Sequence, residues 1–182
     1  MPRINAISAT EATDKARQLL AGVDAKLGVT PNMMKTMAHS PTVLGAYLNF
    51  SGALAGVLDE PLRTEIAIAV AQGNSCEYCL SVHAMFGKSA GLGTEELALS
   101  RESLSQDAKR QAALQFAQQI VARRGEVSDQ DLASLRQAGY SDAETAAIVA
   151  HVGLNIFTNY FNLVAQTEVD FPRVPLALAQ HV

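Results

Sequence analysis

The chain has 182 residues, 48% of them hydrophobic and 18% charged, enough to bury about 70% of its unfolded surface around one core. Fourteen Lys and Arg against eighteen Asp and Glu leave a net charge of -4, with no basic block to neutralise a row of phosphates, which speaks against a nucleic-acid partner. The first residues lack the apolar core of a secretory signal, and the purest apolar run, 66–71, is far short of the roughly 20 residues that cross a bilayer, so a cytoplasmic protein with no membrane partner is expected.

Apolar residues recur at three and four positions nearly everywhere, and no stretch rich in Val, Ile and Thr alternates with period two, so the fold class is all-α. Ser8 with Glu11 has capping-box spacing and predicts a first helix over about 9–27, ended by Gly28. Ser40 followed by Pro41 opens a second helix with Leu44, Tyr47 and Leu48 facing inward, closed by Gly56. Asp59, Glu60 and Pro61 start a third that runs to about Gln72; its segment 66–71 leaves little polar surface and must be buried on most sides. Asn74 with Glu77 predicts a further capping box and a helix from about Ser75 to Gly91. Thr94 caps a short helix, a long one spans about 105–124, and Ser128 with Asp131 opens another that Gly139 ends. Ser141 with Glu144 begins the last, to about Gln166. It is apolar enough, through Ile148, Val152, Ile156, Phe157, Tyr160 and Phe161, to meet another subunit as well as the core. The tail from Thr167 contains Pro172 and Pro175 and reads as an irregular arm packed on a neighbour. No linker divides the chain, which is expected to be a single domain over 1–182.

Two cysteines in a reducing compartment are not a disulfide framework, which makes their spacing the first question. In the stretch 73–83, residues three and four apart share one helical face, so Cys76, Cys79 and His83 form a single stripe. Cys76 sits at or before the second helical position, where free N–H groups and the helix dipole favour a thiolate. His83 stands one turn beyond Cys79 and is placed to accept its proton, but is too far to serve Cys76. Cα atoms three apart in a helix are about 5 Å from each other, a separation a disulfide tolerates. A bond closing so short a loop contributes only about 2 kcal/mol in the chain-entropy model and ties no distant elements together, so it is a poor staple. Two plainer readings remain: a pair of small core residues, or a zinc site. Zinc wants four ligands, and only His39, His151 and His181 are left, none at a partner spacing, so no metal is expected.

The segment 62–83, with its C-x-x-C-x-x-x-H motif, resembles the core motif of the carboxymuconolactone decarboxylase superfamily, specifically its alkylhydroperoxidase D-like, peroxidase-related branch. The likeness is close over 58–96, and 155–162 with 167–172 is similar to peroxidase-related members. The resemblance implies a compact multi-helix antioxidant thiol peroxidase without metal or organic cofactor, assembled as a homotrimer or homohexamer. Its substrate would be an organic hydroperoxide or hydrogen peroxide, with an external dithiol as reductant. By the same resemblance Cys79 would be the peroxidatic thiol, Cys76 its more exposed resolving partner, His83 the base and Tyr78 a member of the proton relay. The family glutamate twelve residues before the first cysteine falls here on Thr64, with Glu65 one place later. Since one residue turns a helix by about 100°, Glu65 would serve only if the helix start shifts, and Glu60 or Glu77 are the other relay candidates.

The remaining residues have competing readings. Glu77 is first a helix cap, and Tyr78 divides between packing and relay. His151 is read as a hydrogen-bonded core histidine that could also line the pocket. His39 and His181 look incidental. Met33, Met34 and Met37 are core or pocket lining rather than metal ligands. Two rivals to the peroxidase stand. One is a decarboxylase-type lyase in which His83 or His151 moves protons and Arg63 or Lys88 points into the pocket to hold a carboxylate. The other is a non-enzymatic dithiol redox sensor.

Overall fold

The computed structural model describes residues 1–8 and 10–176. Among them it forms nine α-helices and no strand: α1 (Asp14–Leu27), α2 (Asn32–Met37), α3 (Pro41–Leu54), α4 (Glu60–Gly73), α5 (Glu77–Ser89), α6 (Thr94–Arg101), α7 (Ala108–Ala122), α8 (Asp129–Gln137) and α9 (Asp142–Ala165). Helix α4 is the hub, packed against α5, α6, α7 and α9. Its apolar segment explains this placement, since every residue from Ile66 to Ala71 is buried. Ile68 and Ala71 face a core shared with α1, α2, α3, α5 and α6. Ile66, Ala69 and Val70 face a second core with α7, α8 and α9. Fully burying a side chain such as Ile66 or Ile68 stabilises the fold by about 2 kcal/mol, so α4 joins the two halves of the molecule.

Most helix starts follow local chemistry. Ser40, Asp59, Ser128 and Ser141 each accept a backbone N–H from the first turn of the helix they precede. Asp131 and Glu144 return a carboxylate to the N–H of Ser128 and Ser141, completing both boxes. Three starts differ from expectation. The Ser8–Glu11 box does form, but it closes only an isolated turn, and Thr13 caps α1 through the N–H of Ala16. The expected 9–27 helix therefore begins at Asp14. The N–H of Gly93 donates to Glu96, which makes Thr94 the first residue of α6 rather than its cap. Asn74 does not cap α5: it ends α4, and its side-chain amide donates to Asn159 on α9. Ser75 then takes φ 55°, a left-handed conformation that no helix continues through, so Cys76 becomes the N-cap of α5.

Helix α9 has 24 residues and is long and apolar enough to cross a membrane by length and composition alone, but half of that window is buried inside the fold. It is a core helix here. Its outer side nevertheless exposes Val149, Phe157, Tyr160, Leu163 and Val164. The segment after it, expected to reach a neighbour, lies across its own chain through residue 176. Asp170 accepts from the N–H of Asn32, the N–H of Val174 donates to Ser81, and Arg101 donates to the Pro175 carbonyl.

Gly87 in α5 is needed where α4, α5 and α6 meet, because a Cβ there would come within 2.7 Å of Leu97, 3.3 Å of Leu92 and 3.3 Å of Thr64. Gly87→Val is expected to destabilise the protein by about 2 kcal/mol in denaturant unfolding. Gly22 in α1 has open space around it, and Gly22→Ala should raise stability by up to about 1 kcal/mol in the same assay.

Candidate active site

Cys76 and Cys79 are joined in a disulfide, with their Cα atoms 5.3 Å apart. The backbone N–H of Cys79 points at the Cys76 sulfur at 3.3 Å, so the sulfur occupies the place of a capping oxygen at the positive end of α5. Both residues are buried, Cys76 at 1% and Cys79 at 2% exposure. Cys76 is thus not the more exposed partner within one chain. The two sulfur-bearing residues instead line different cavities. Cys79 lines one of about 260 Å³ with Met33, Tyr47, His83 and Phe86. Cys76 lines another of about 280 Å³ beneath the tail, with Leu163, Thr167 and Val169.

Helix α9 runs along the Cys79 cavity and supplies His151, Asn155, Thr158 and Asn162 to its wall. These positions are three or four apart, one stripe on one face. Asn162 Nδ2 donates to the Cys79 sulfur at 3.3 Å. Asn155 donates to the His151 carbonyl at 2.8 Å and also hydrogen-bonds the His83 side chain. His83 therefore lines the same cavity as Cys79, while its hydrogen bond goes to Asn155. Burial holds its pKa down at about 4, with the Asn155 contact acting in the other direction. At neutral pH the ring is uncharged and able to take a proton.

The other sequence candidates fall in distinct places. The Tyr78 hydroxyl accepts from the N–H of Met33 at 3.0 Å and hydrogen-bonds Asp170. Burial first, and the Asp170 carboxylate with it, push the phenol above its ordinary range. Tyr78 fastens α2 and the tail to α5, and it lines both the Cys79 and the Cys76 cavity. Glu65 is buried at 1% exposure and paired with Arg110 of α7 at 3.3 Å. Burial raises its pKa, and Arg110 opposes the shift. It does not line the cavity, whereas Thr64, one residue earlier, does. The 100° offset turned Glu65 to the other core. Glu77 sits in the first turn of α5, pairs with Arg173 of the tail at 3.4 Å and lines the Cys76 cavity rather than the Cys79 one. Glu60 lines the cavity and is exposed.

His151 is buried and lines the cavity, with its pKa lowered by burial and then by the charge of Arg63. Met33 and Met34 line the cavity and Met37 lies in the core. His39 meets the Asn5 carbonyl at 3.0 Å, and His181 lies outside the described residues. Of the two cations considered for a carboxylate, Arg63 lines the cavity and Lys88 does not. Sequence reasoning missed Asn155, Asn162 and Asp170. The first two carry a readable signal, polar residues on the inward stripe of an otherwise apolar helix; Asp170 carries none.

The model of the carboxymuconolactone decarboxylase family matches residues 41–119, the stretch from α3 through α7 that holds the cysteine helix. Over that stretch the chain is similar to that family. Its fold is the alkylhydroperoxidase D-like one. It is similar to a peroxidase-related protein with an alkylhydroperoxidase AhpD core from Ralstonia eutropha, at 24% identity over 93% of this chain and 92% of that one, with a TM-score of 0.82. A peroxidase-related protein from Silicibacter sp. is similar at 22% identity over 91% of each chain, TM-score 0.79. A variant of the debrominase Bmp8 in complex with 2,3,4-tribromopyrrole shares the fold at 18% identity over 92% and 91%, TM-score 0.79. No curated protein matches the sequence significantly.

Two outcomes are expected of this site. An unfolded histidine titrates near 6.5 and His83 in the fold at about 4, so between these values the unfolded chain binds a proton that the folded chain does not. Stability at this position is undiminished above pH 6.5 and falls as pH drops toward 4, by a few kcal/mol at most. His83→Gln should flatten part of that fall in denaturant midpoints measured from pH 7 to 4; His151 titrates in the same direction and supplies another part. Asn162→Leu removes the donor to Cys79, and in the reduced protein should raise the Cys79 thiol pKa by about one unit, read from the pH dependence of alkylation.

Proposed function

We propose that the protein is a dithiol peroxidase. The single observation that carries this reading is the Cys76–Cys79 pair with one sulfur-bearing residue on a largely apolar cavity, an amide donor on that sulfur and a neutral imidazole on the same wall. In the reduced enzyme the Cys79 thiolate attacks the distal oxygen of a hydroperoxide. The O–O bond breaks, the alkoxide leaves with a proton as alcohol, and Cys79 becomes a sulfenic acid. The Cys76 sulfur then attacks Cys79, water departs, and the disulfide forms. An external dithiol returns two electrons and two protons to restore both thiols.

The helix dipole favours Cys76 as the more acidic thiol, but cavity access and the Asn162 donor favour Cys79 as the sulfur that meets the peroxide. His83 takes the thiol proton and delivers it to the departing alkoxide. The cavity beside Cys76 is where the reductant enters. The exposed apolar side of α9 supports assembly as a homotrimer or homohexamer, and the cytoplasm is the compartment that would supply the reductant.

With cumene hydroperoxide and dithiothreitol, Cys79→Ser is expected to lose at least about a hundredfold in rate. Cys76→Ser should give one turnover and a sulfenic acid that a dimedone-type reagent traps. Equal rates for Cys79→Ser and the parent protein would dispose of the reading. Reversible oxidation without repeated turnover would leave a redox sensor, and lactone-acid turnover that survives loss of both cysteines would leave a lyase.

A further inference from the structure

The inward stripe of α9 measures the cavity. Asn162 touches the Cys79 sulfur and Asn155 meets His83. His151 lies eleven residues before Asn162, roughly 16 Å back along the helix axis. At that far end stands a second group of polar atoms that the peroxidase cycle does not use. His151 is 5% exposed, and its Nε2 has no hydrogen-bond partner. The Nε of Arg63 is likewise buried without a partner. No ion pair involves Arg63 among the described residues. Glu60, one turn before Arg63, lines the cavity but is exposed. Besides these polar groups, much of the lining is apolar, built by Leu27, Met34, Ala67, Val82 and Leu154 among others.

The Arg63 Nε–H, buried and unsatisfied, carries a desolvation cost that a ligand acceptor would offset. His151, whose ring also hydrogen-bonds the Leu54 backbone, turns Nε2 into a donor only when an anion draws a proton onto the ring. Arg63 also disfavours a proton on His151, and an anion between the two would relieve that repulsion as well. Guanidinium pairs with a planar carboxylate through two parallel hydrogen bonds, a geometry that a peroxide oxygen does not match. We infer that Arg63 and His151 form an anion subsite at the end of the cavity away from the sulfurs, and that the substrate is an apolar organic hydroperoxide carrying a carboxylate. The carboxylate anchors on Arg63 and His151, the apolar body fills the middle, and the peroxide group is presented to Cys79. The hydroperoxide part rests on the peroxidase reading; the anion subsite does not.

The probes are chosen to separate the two. 4-Isopropylbenzoate and its neutral amide, titrated into the disulfide form by calorimetry or NMR, report the subsite without turnover. The carboxylate should bind at least about tenfold tighter than the amide, and Arg63→Gln should bring that ratio close to one. His151→Gln is a second variant that should reduce the same ratio, and binding of the amide verifies that each variant is folded. In turnover, the preference in kcat/KM for the para-carboxylate of cumene hydroperoxide over cumene hydroperoxide itself should collapse in Arg63→Gln. Equal binding of acid and amide to the parent protein, or a ratio unmoved in both variants, overturns the subsite even if both hydroperoxides are reduced. Arg63-dependent binding of the acid with neither hydroperoxide reduced supports the subsite and counts against the peroxidase.

Discussion

The break between α4 and α5 is the constraint on which the site depends. Had the helix run on through Ser75, the N–H of Cys79 would be spent on an intrahelical carbonyl and the Cys76 sulfur would have no free donor beside it. Ser75 instead adopts φ 55°, a left-handed conformation that costs a residue with a Cβ about 1–2 kcal/mol. The turn is held by backbone bonds from Asn74 to Val70, from Ser75 to Gln72 and from Cys76 to Ala71. The Asn74 amide adds a tie to Asn159 of α9. That local strain is offset by tertiary contacts, and its product is two sulfurs at the positive end of a buried helix.

Helix α9 is the other half of the construction. Its inward side buries His151, Asn155, Thr158, Asn159 and Asn162, an expensive set unless each polar group finds a partner. Several do so locally: Asn155 donates to the His151 carbonyl and Thr158 to the Asn155 carbonyl. Asn159 and Asn162 reach outward, one to the turn before α5 and one to Cys79. A helix of leucines would pack as well and cost less. The polar stripe makes sense as the framework that fixes the turn, orients the imidazole and sets the charge environment of the sulfur.

What could be read from the sequence follows the range of the interactions. The capping boxes at Ser128 and Ser141 close within three residues, and both form as expected. The stripe of Cys76, Cys79 and His83 is likewise a matter of helical period, although its first member proved to be the cap. Asn74 misled because its amide found Asn159, 85 positions away, and a tertiary hydrogen bond overrode a local signal. Tyr78 was legible as a residue with a role, but its partner Asp170 lies on an irregular tail where no periodicity operates. For Glu65 the helical geometry was sound, since one step of about 100° turned the carboxylate out of the site. What no local pattern could reveal was Arg110, 45 residues on, waiting in the other core.

The placement of the two cysteines against two separate cavities bears on how a dithiol cycle could run in so closed a site. If peroxide and reductant shared one entrance, each would have to leave before the other could react, and a bulky dithiol would need the apolar cavity that suits an organic peroxide. Here Cys79 borders the space flanked by His83 and Asn155, whereas Cys76 borders the space under Leu163, Thr167 and Val169. Tyr78 and Asn162 stand with the disulfide between the two sides, lining both cavities. The tail that covers Cys76 is fastened by side-chain contacts, Asp170 to Asn32 and Tyr78, Glu168 to Asn32, Ser81 to Val174, Glu77 to Arg173 and Arg101 to Pro175, rather than by a helix or a continuous ladder. A segment without regular structure opens at lower cost than the core beneath it, so of the two cavities the one beside Cys76 is the better able to admit a large partner without disturbing the other.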